Sequence, residues 1–145
     1  MDKIELLITA EEISQKIAAV AAKLNAKYAE EELTLVMVMK GAFCLTADLM
    51  RCLKMPCILE FIQASSYGER GTSRGELSLS GIDSIDLSNK NVLVVDDIFD
   101  SGNTLAQILE QLRKKHPKTL ESLVLLNKKI SRPRPFAPDY SLFDI

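Results

Sequence analysis

Apolar residues recur along this chain at two spacings. Ile13, Ile17, Val20, Ala21 and Leu24 fall on one helical face, so residues 10–27 are predicted as an amphipathic helix. Thr9 precedes them as an N-cap, with Glu12 three positions on, the order of a capping box. Leu33 to Met39 is a short, mostly apolar run and predicts a buried strand. Phe43 to Leu53 returns to helical spacing, with Leu45, Leu49 and Leu53 on one stripe that serves a core or an interface. Pro56 breaks the chain, and Cys57 to Ile62 reads as a strand. From Ala64 to Gly81 the chain turns polar and glycine-rich, with Gly68, Gly71, Gly75 and Gly81, which predicts a mobile loop or a loose hairpin. Asn91 to Val95 predicts a central strand, Asn103 to Lys115 a helix, and Leu120 to Leu126 and Tyr140 to Asp144 two more strands. Pro133, Pro135 and Pro138 punctuate the turn before the last of these.

Strands separated by helices predict an α/β fold, a mainly parallel sheet flanked by helices on both faces. In such sheets ligands gather beyond the carboxyl ends of the strands. A length of 145 residues with neither a repeat nor a linker fits one domain, residues 1–145. The net charge of −2 supplies no electrostatic footprint for nucleic acid. No apolar run is long enough to cross a bilayer and no signal peptide is visible, so the expected location is the cytoplasm. The cysteines, Cys44, Cys52 and Cys57, match no metal or redox spacing and are expected to be reduced and mostly buried. The one histidine, His116, is expected in solvent at a helix end, so acid–base chemistry falls to other side chains.

Residues 92–104 hold the densest chemistry: Val-Leu-Val-Val-Asp-Asp-Ile-Phe-Asp-Ser-Gly-Asn-Thr. A buried strand is predicted to end in Asp96 and Asp97, with Asp100 three residues on. Ser101, Gly102, Asn103 and Thr104 then open a helix, whose first N–H groups lack partners and sit at its positive end. Gly102 lets the backbone curl around an anion, while Ser101 and Thr104 add hydroxyl donors. The carboxylates only accept hydrogen bonds, so they suit sugar hydroxyls or a metal ion. Together the two halves ask for a ribose diol beside a 5′-phosphate. The plainer alternative is that Asp100 or Ser101 merely caps the helix, since both residue types lead the N-cap preferences.

Val92 to Thr104 resembles the phosphoribosyl-pyrophosphate motif of the phosphoribosyltransferases. Met39-Lys40-Gly41-Ala42-Phe43 resembles the pyrophosphate loop of their hypoxanthine-guanine members. Ser65-Ser66-Tyr67-Gly68 resembles the start of the loop that closes over the reaction, and Lys128 sits where that branch has the lysine reading the purine 6-oxo group. The resemblance implies a type I phosphoribosyltransferase core with a flexible active-site loop at about 64–81. It also implies transfer of 5-phosphoribosyl from phosphoribosyl pyrophosphate to hypoxanthine or guanine, with Mg2+, in a homodimer or homotetramer. By the same resemblance Asp100 is the acid–base group at purine N7. Asp96 and Asp97 take the ribose hydroxyls and meet the metal indirectly. Ser101, Gly102, Asn103 and Thr104 hold the 5′-phosphate, Lys40 and Gly41 face the pyrophosphate, and Ile98 and Lys128 meet the purine.

Asp96 is shorter than the glutamate found in many relatives. The family also continues past the counterpart of Ile145 with a base-stacking aromatic residue, a metal-side aspartate and a pyrophosphate-side arginine. The expectation for these 145 residues is therefore a core that holds ribose 5-phosphate well and the base poorly. A non-catalytic nucleotide- or RNA-binding regulator on the same fold is the alternative. A signalling receiver domain is disfavoured because its acidic strand end opens the domain, and too little chain follows Val92.

Overall fold

The computed structural model describes residues 7–66 and 77–145. The elements are α1 (Ala10–Tyr28), β1 (Leu33–Met39), α2 (Phe43–Cys52), β2 (Cys57–Ser66), β3 (Leu77–Ser80), β4 (Asn91–Phe99), α3 (Asn103–Arg113), β5 (Thr119–Asn127) and β6 (Tyr140–Asp144). They build one six-stranded sheet in the order β3-β2-β1-β4-β5-β6. Every neighbouring pair is parallel except β2 and β3.

Two cores sandwich the sheet. On one face Ile17, Val20, Ala21 and Leu24 of α1 and Leu45 and Leu49 of α2 pack on Leu33, Leu35, Leu93, Val95 and Leu123. On the other face Leu105, Ile108, Leu109 and Leu112 of α3 pack on Val36, Val38, Val92, Val94 and Val124. β1 and β4 are almost wholly buried because both faces are covered, which is why they read as continuous apolar runs. Each such side chain taken from water contributes roughly 1.5–3 kcal/mol. The Leu45, Leu49 and Leu53 stripe belongs to the core, with Leu53 partly buried against it.

α1 starts at the predicted capping box, with Glu12 N–H donating to Thr9 Oγ1 at 3.0 Å and Thr9 N–H to Glu12 Oε1 at 3.2 Å. Other boundaries move. β4 does not stop at Val95 but runs on to Phe99, because β5 keeps pairing with it through Asp96↔Val124, Ile98↔Leu126 and Phe99↔Asn127. β2 runs past Ile62 to Ser66 and pairs with β3 through Ala64↔Leu79, Ser65↔Ser78 and Ser66↔Leu77. Both ends of the predicted 64–81 loop are therefore strand, a hairpin flank; Tyr67, Gly68, Gly71 and Gly75 lie outside the described residues. The helix predicted to Lys115 ends at Arg113, and Lys115 Nζ donates instead to Ile85 O at 2.7 Å. His116 is exposed, as expected. The cysteines correct the reading from average burial: Cys44 and Cys52 are exposed on α2, and Cys57 is half-buried. The core-facing stripe of a two-layer helix occupies one side only, and these two thiols fall on the other.

Candidate functional site

The strand order reverses between β1 and β4, so the helices after them leave toward opposite faces, opening a crevice beyond their carboxyl ends. Into that crevice the chain delivers Lys40 and Gly41 from β1 and the acidic run from β4. β1 and β4 pair through Met37↔Val95, so the residues after Met39 lie beside Asp97.

The three acids meet different surroundings. Asp96 is 9% exposed, and its Oδ1 accepts the Asp97 N–H at 2.8 Å. Burial, aided by the neighbouring Asp97 and Asp100, pushes its carboxyl up to about 7. Asp97 is half-buried, and its Oδ1 accepts the Ile98 N–H at 2.8 Å. A Cβ built on Gly41 would sit 2.6 Å from Asp97 Cγ and closer still to Oδ2, so this carboxylate occupies the side-chain space of residue 41. Asp100 is exposed, and its Oδ1 accepts the Ser101 N–H at 2.6 Å.

The start of α3 differs from that of α1. Its N-cap is Gly102, with φ of 81°, and no side chain caps it. Asp100 and Ser101 are therefore not the N-cap; the nearest approach is a long 3.4 Å contact from Asn103 N–H to Ser101 Oγ. Among the described residues the N–H groups of Thr104 and Leu105 find no acceptor, so the positive end of the helix offers donors where an anion fits. Ser101 is half-buried, Gly102 is buried, and Asn103 and Thr104 are exposed.

Around this centre lie the remaining predicted residues. The Met39–Lys40 peptide is cis, and Ala42 N–H donates back to Val38 O at 3.3 Å, curling the loop over the end of β1. Lys128 N–H donates to Phe99 O at 2.8 Å, which brings the exposed lysine alongside the acidic run. Ile98 is 47% exposed, an unusual state for a strand isoleucine and consistent with a surface left open beside the crevice. Ser65 and Ser66 stand at the end of β2, which lies across β1 from the strand that carries the acids. Among the described residues, no three His, Cys, Asp or Glu side chains converge as a metal cage.

Several supports were not legible in the sequence. The Phe99 ring is buried beneath Gly102, stacks edge-on against Phe136 at 5.1 Å, and carries the Arg134 guanidinium at 4.8 Å. Arg134 Nη1 also donates to Asn127 Oδ1 at 2.6 Å and to Lys128 O at 3.2 Å. This cluster fastens the turn after β5 to the end of β4. The only sequence signal was an arginine among prolines, which reads as a surface turn.

Residues 7–145 match the phosphoribosyl transferase domain. The hypoxanthine-guanine phosphoribosyltransferase of Aquifex aeolicus is 36% identical over 144 residues, covering 99% of this chain and 81% of that protein. The hypoxanthine phosphoribosyltransferase of Salmonella typhimurium is 38% identical over 128 residues, 86% of this chain and 71% of that protein. Among solved structures, a hypoxanthine-guanine phosphoribosyltransferase of Bacillus anthracis superposes with a TM-score of 0.87 at 32% identity, over 100% of this chain and 86% of that one. The Trypanosoma cruzi hypoxanthine phosphoribosyltransferase in complex with the product IMP gives 0.87 at 33% identity, over 100% and 84%.

Proposed function

Because the chain belongs to the phosphoribosyltransferase family, in its hypoxanthine-guanine branch, we propose that the crevice between β1 and β4 joins a 6-oxopurine to phosphoribosyl pyrophosphate, yielding IMP or GMP and pyrophosphate. The observation that carries this reading is the uncapped start of α3 directly after three carboxylates, a donor surface beside an acceptor surface.

In this reading the free first amides of α3, with Ser101, Gly102, Asn103 and Thr104, hold the 5′-phosphate. Asp96 and Asp97 accept from the ribose hydroxyls. Asp100, exposed at the mouth, holds the purine N7 proton while the bond to the base forms, and its charge faces the cationic sugar. Lys40 and Gly41 meet the leaving pyrophosphate. Lys128 donates to the purine O6, which discriminates against adenine, whose amino group cannot accept. Ile98 lends an apolar surface to the base. The segment carrying Ser65, Ser66, Tyr67 and Gly68 closes over the reactants and keeps water from the sugar.

The donor set fits magnesium in one particular way. Asp96 and Asp97 are hard oxygen donors that would meet such an ion indirectly, through the ribose hydroxyls or water. The ion would supply positive charge to offset the negative charge of the pyrophosphate. We further read residues 1–145 as one core domain, working in the cytoplasm as a homodimer or homotetramer. Phe43 and Phe61, each 58% exposed, are apolar surface that a second copy would remove from water; a monomer by light scattering would overturn that part.

The test mixes the chain with phosphoribosyl pyrophosphate, magnesium and, separately, hypoxanthine, guanine, xanthine and adenine. Nucleotide should form with hypoxanthine or guanine, and Asp100→Asn should slow it by about 10²–10⁴-fold. Absence of turnover together with absence of thermal stabilisation by phosphoribosyl pyrophosphate or IMP would overturn the reading.

A further inference from the structure

Gly41, in the loop after β1, and Asp97, in β4, compete for one volume. The carboxylate of Asp97 stands where any side chain at 41 would begin: a Cβ there would lie 2.6 Å from Cγ and 3.1 Å from Oδ1. Atoms that close force a shift, and here the obstacle is a half-buried acid, not the free end of a long chain. The acid has little freedom to move away, because its own Oδ1 is tied to the Ile98 N–H at 2.8 Å and its flanking residues Asp96 and Ile98 are held in register with Val124 and Leu126 of β5. The loop above is short. It is held at one end by Ala42 N–H to Val38 O, and at the other by Thr46 Oγ1 and N–H, both donating to Ala42 O at 2.7 and 2.9 Å. Between those anchors, among the described residues, the Gly41 N–H meets no acceptor. A backbone donor left free on a loop is useful only if the loop holds one shape, and Asp97 is the surface it rests on.

We infer that Asp97 is a positioning residue for the loop Met39–Ala42: by filling the side-chain space of Gly41 it sets the height of that loop's free N–H and of Lys40 over the crevice, and so governs the pyrophosphate end of the reaction. This inference rests on the proposed phosphoribosyl transfer and deepens it. It gives Asp97 a duty at the leaving group, through Gly41, in addition to the acceptor role toward ribose. It also makes glycine at 41 a demand of residue 97 and not of backbone dihedrals, since Gly41 shows no positive φ.

The two ends of the site can be titrated apart. Magnesium pyrophosphate probes the loop, and IMP probes the cradle and the ribose end. Calorimetry on the full chain would compare wild type, Gly41→Ala, Asp97→Ala, Asp97→Asn and the Gly41→Ala/Asp97→Ala pair. Gly41→Ala should weaken pyrophosphate at least about tenfold while IMP changes by less than about threefold; Asp97→Ala should weaken pyrophosphate by a similar factor and, through its ribose contact, weaken IMP as well. Asp97→Asn keeps the volume and should stay within about threefold of wild type for pyrophosphate. The double variant, with the clash removed, should bind pyrophosphate no worse than the weaker single variant. Strictly additive losses, or a loss confined to IMP in both Asp97 variants, would overturn the inference. If Gly41→Ala fails to fold, the contrast between Asp97→Ala and Asp97→Asn decides alone. Wild type that binds neither probe would instead sink the proposed function, so the two failures remain distinguishable.

Discussion

The ring of Phe99 lies directly beneath Gly102: a Cβ at 102 would meet Cζ at 2.8 Å and Cε1 at 2.9 Å, with Pro135 Cδ at 3.3 Å on the other side. Gly102 also has φ of 81°, a left-handed conformation that costs other L-residues roughly 1–2 kcal/mol. Both demands fall on the residue that opens α3. Gly102→Ala should therefore lower the melting temperature and tilt the first amides of the helix. IMP affinity should drop at least about tenfold, equivalent to about 1.4 kcal/mol. Calorimetry showing IMP affinity unchanged would remove Gly102 from the cradle.

Asp96 makes the empty protein pH-sensitive. Burial raises its carboxyl to about 7 from 3.8, so between those values the folded chain holds more protons than the unfolded one. Stability of the ligand-free protein should then fall as pH rises from about 4 to 7, with no further loss from this group above that. Asp96→Asn cancels the effect. It should be more stable than wild type at pH 8, by on the order of 2 kcal/mol, and equal to it near pH 4. Urea titrations at the two pH values would check the sign; a variant less stable at pH 8 contradicts it.

The opposite sign holds at Glu121, where α1, β5 and β6 meet. Its Oε1 accepts Tyr28 Oη at 2.5 Å and Tyr140 Oη at 3.1 Å, and its Oε2 pairs with Lys27 Nζ at 2.7 Å. Burial pushes the Glu121 carboxyl up, but Lys27 and the two phenols together hold it below the usual carboxylate range. Burial and then Glu121 push the Tyr140 phenol up to about 12, and raise that of Tyr28 as well. A lowered acid contributes stability that is present above its unfolded value and is lost as pH falls through the folded one. Glu121→Gln should cost roughly 1–2 kcal/mol at pH 7, with the gap to wild type closing below about pH 4. Thermal melts at pH 7 and pH 3 would test this, and a gap that widens in acid would refute it.

The helices and every strand but β3, and their order, were written in local patterns. The stripe of Ile17, Val20 and Leu24 is helical whatever it packs against, and the Thr9 and Glu12 box needs only its own four residues. The same locality explains why Ser101 to Thr104 could be read as an anion-binding helix start. What the tertiary structure decided depends on pairs distant along the chain. Asp96 to Phe99 stay in strand because β5 offers a matching edge, against the expectation that two acids end it. Cys44 and Cys52 are exposed because the core lies on the other side of α2, a choice of face that residue type does not determine. The seating of Asp97 under Gly41, the placing of Phe99 under Gly102 and the clasp of Arg134 arise only when the parallel sheet brings strand ends together at the reversal between β1 and β4. Local spacing specifies which groups a segment can offer; only long-range pairing, enforced by burying both faces of β1 and β4, specifies which of them meet.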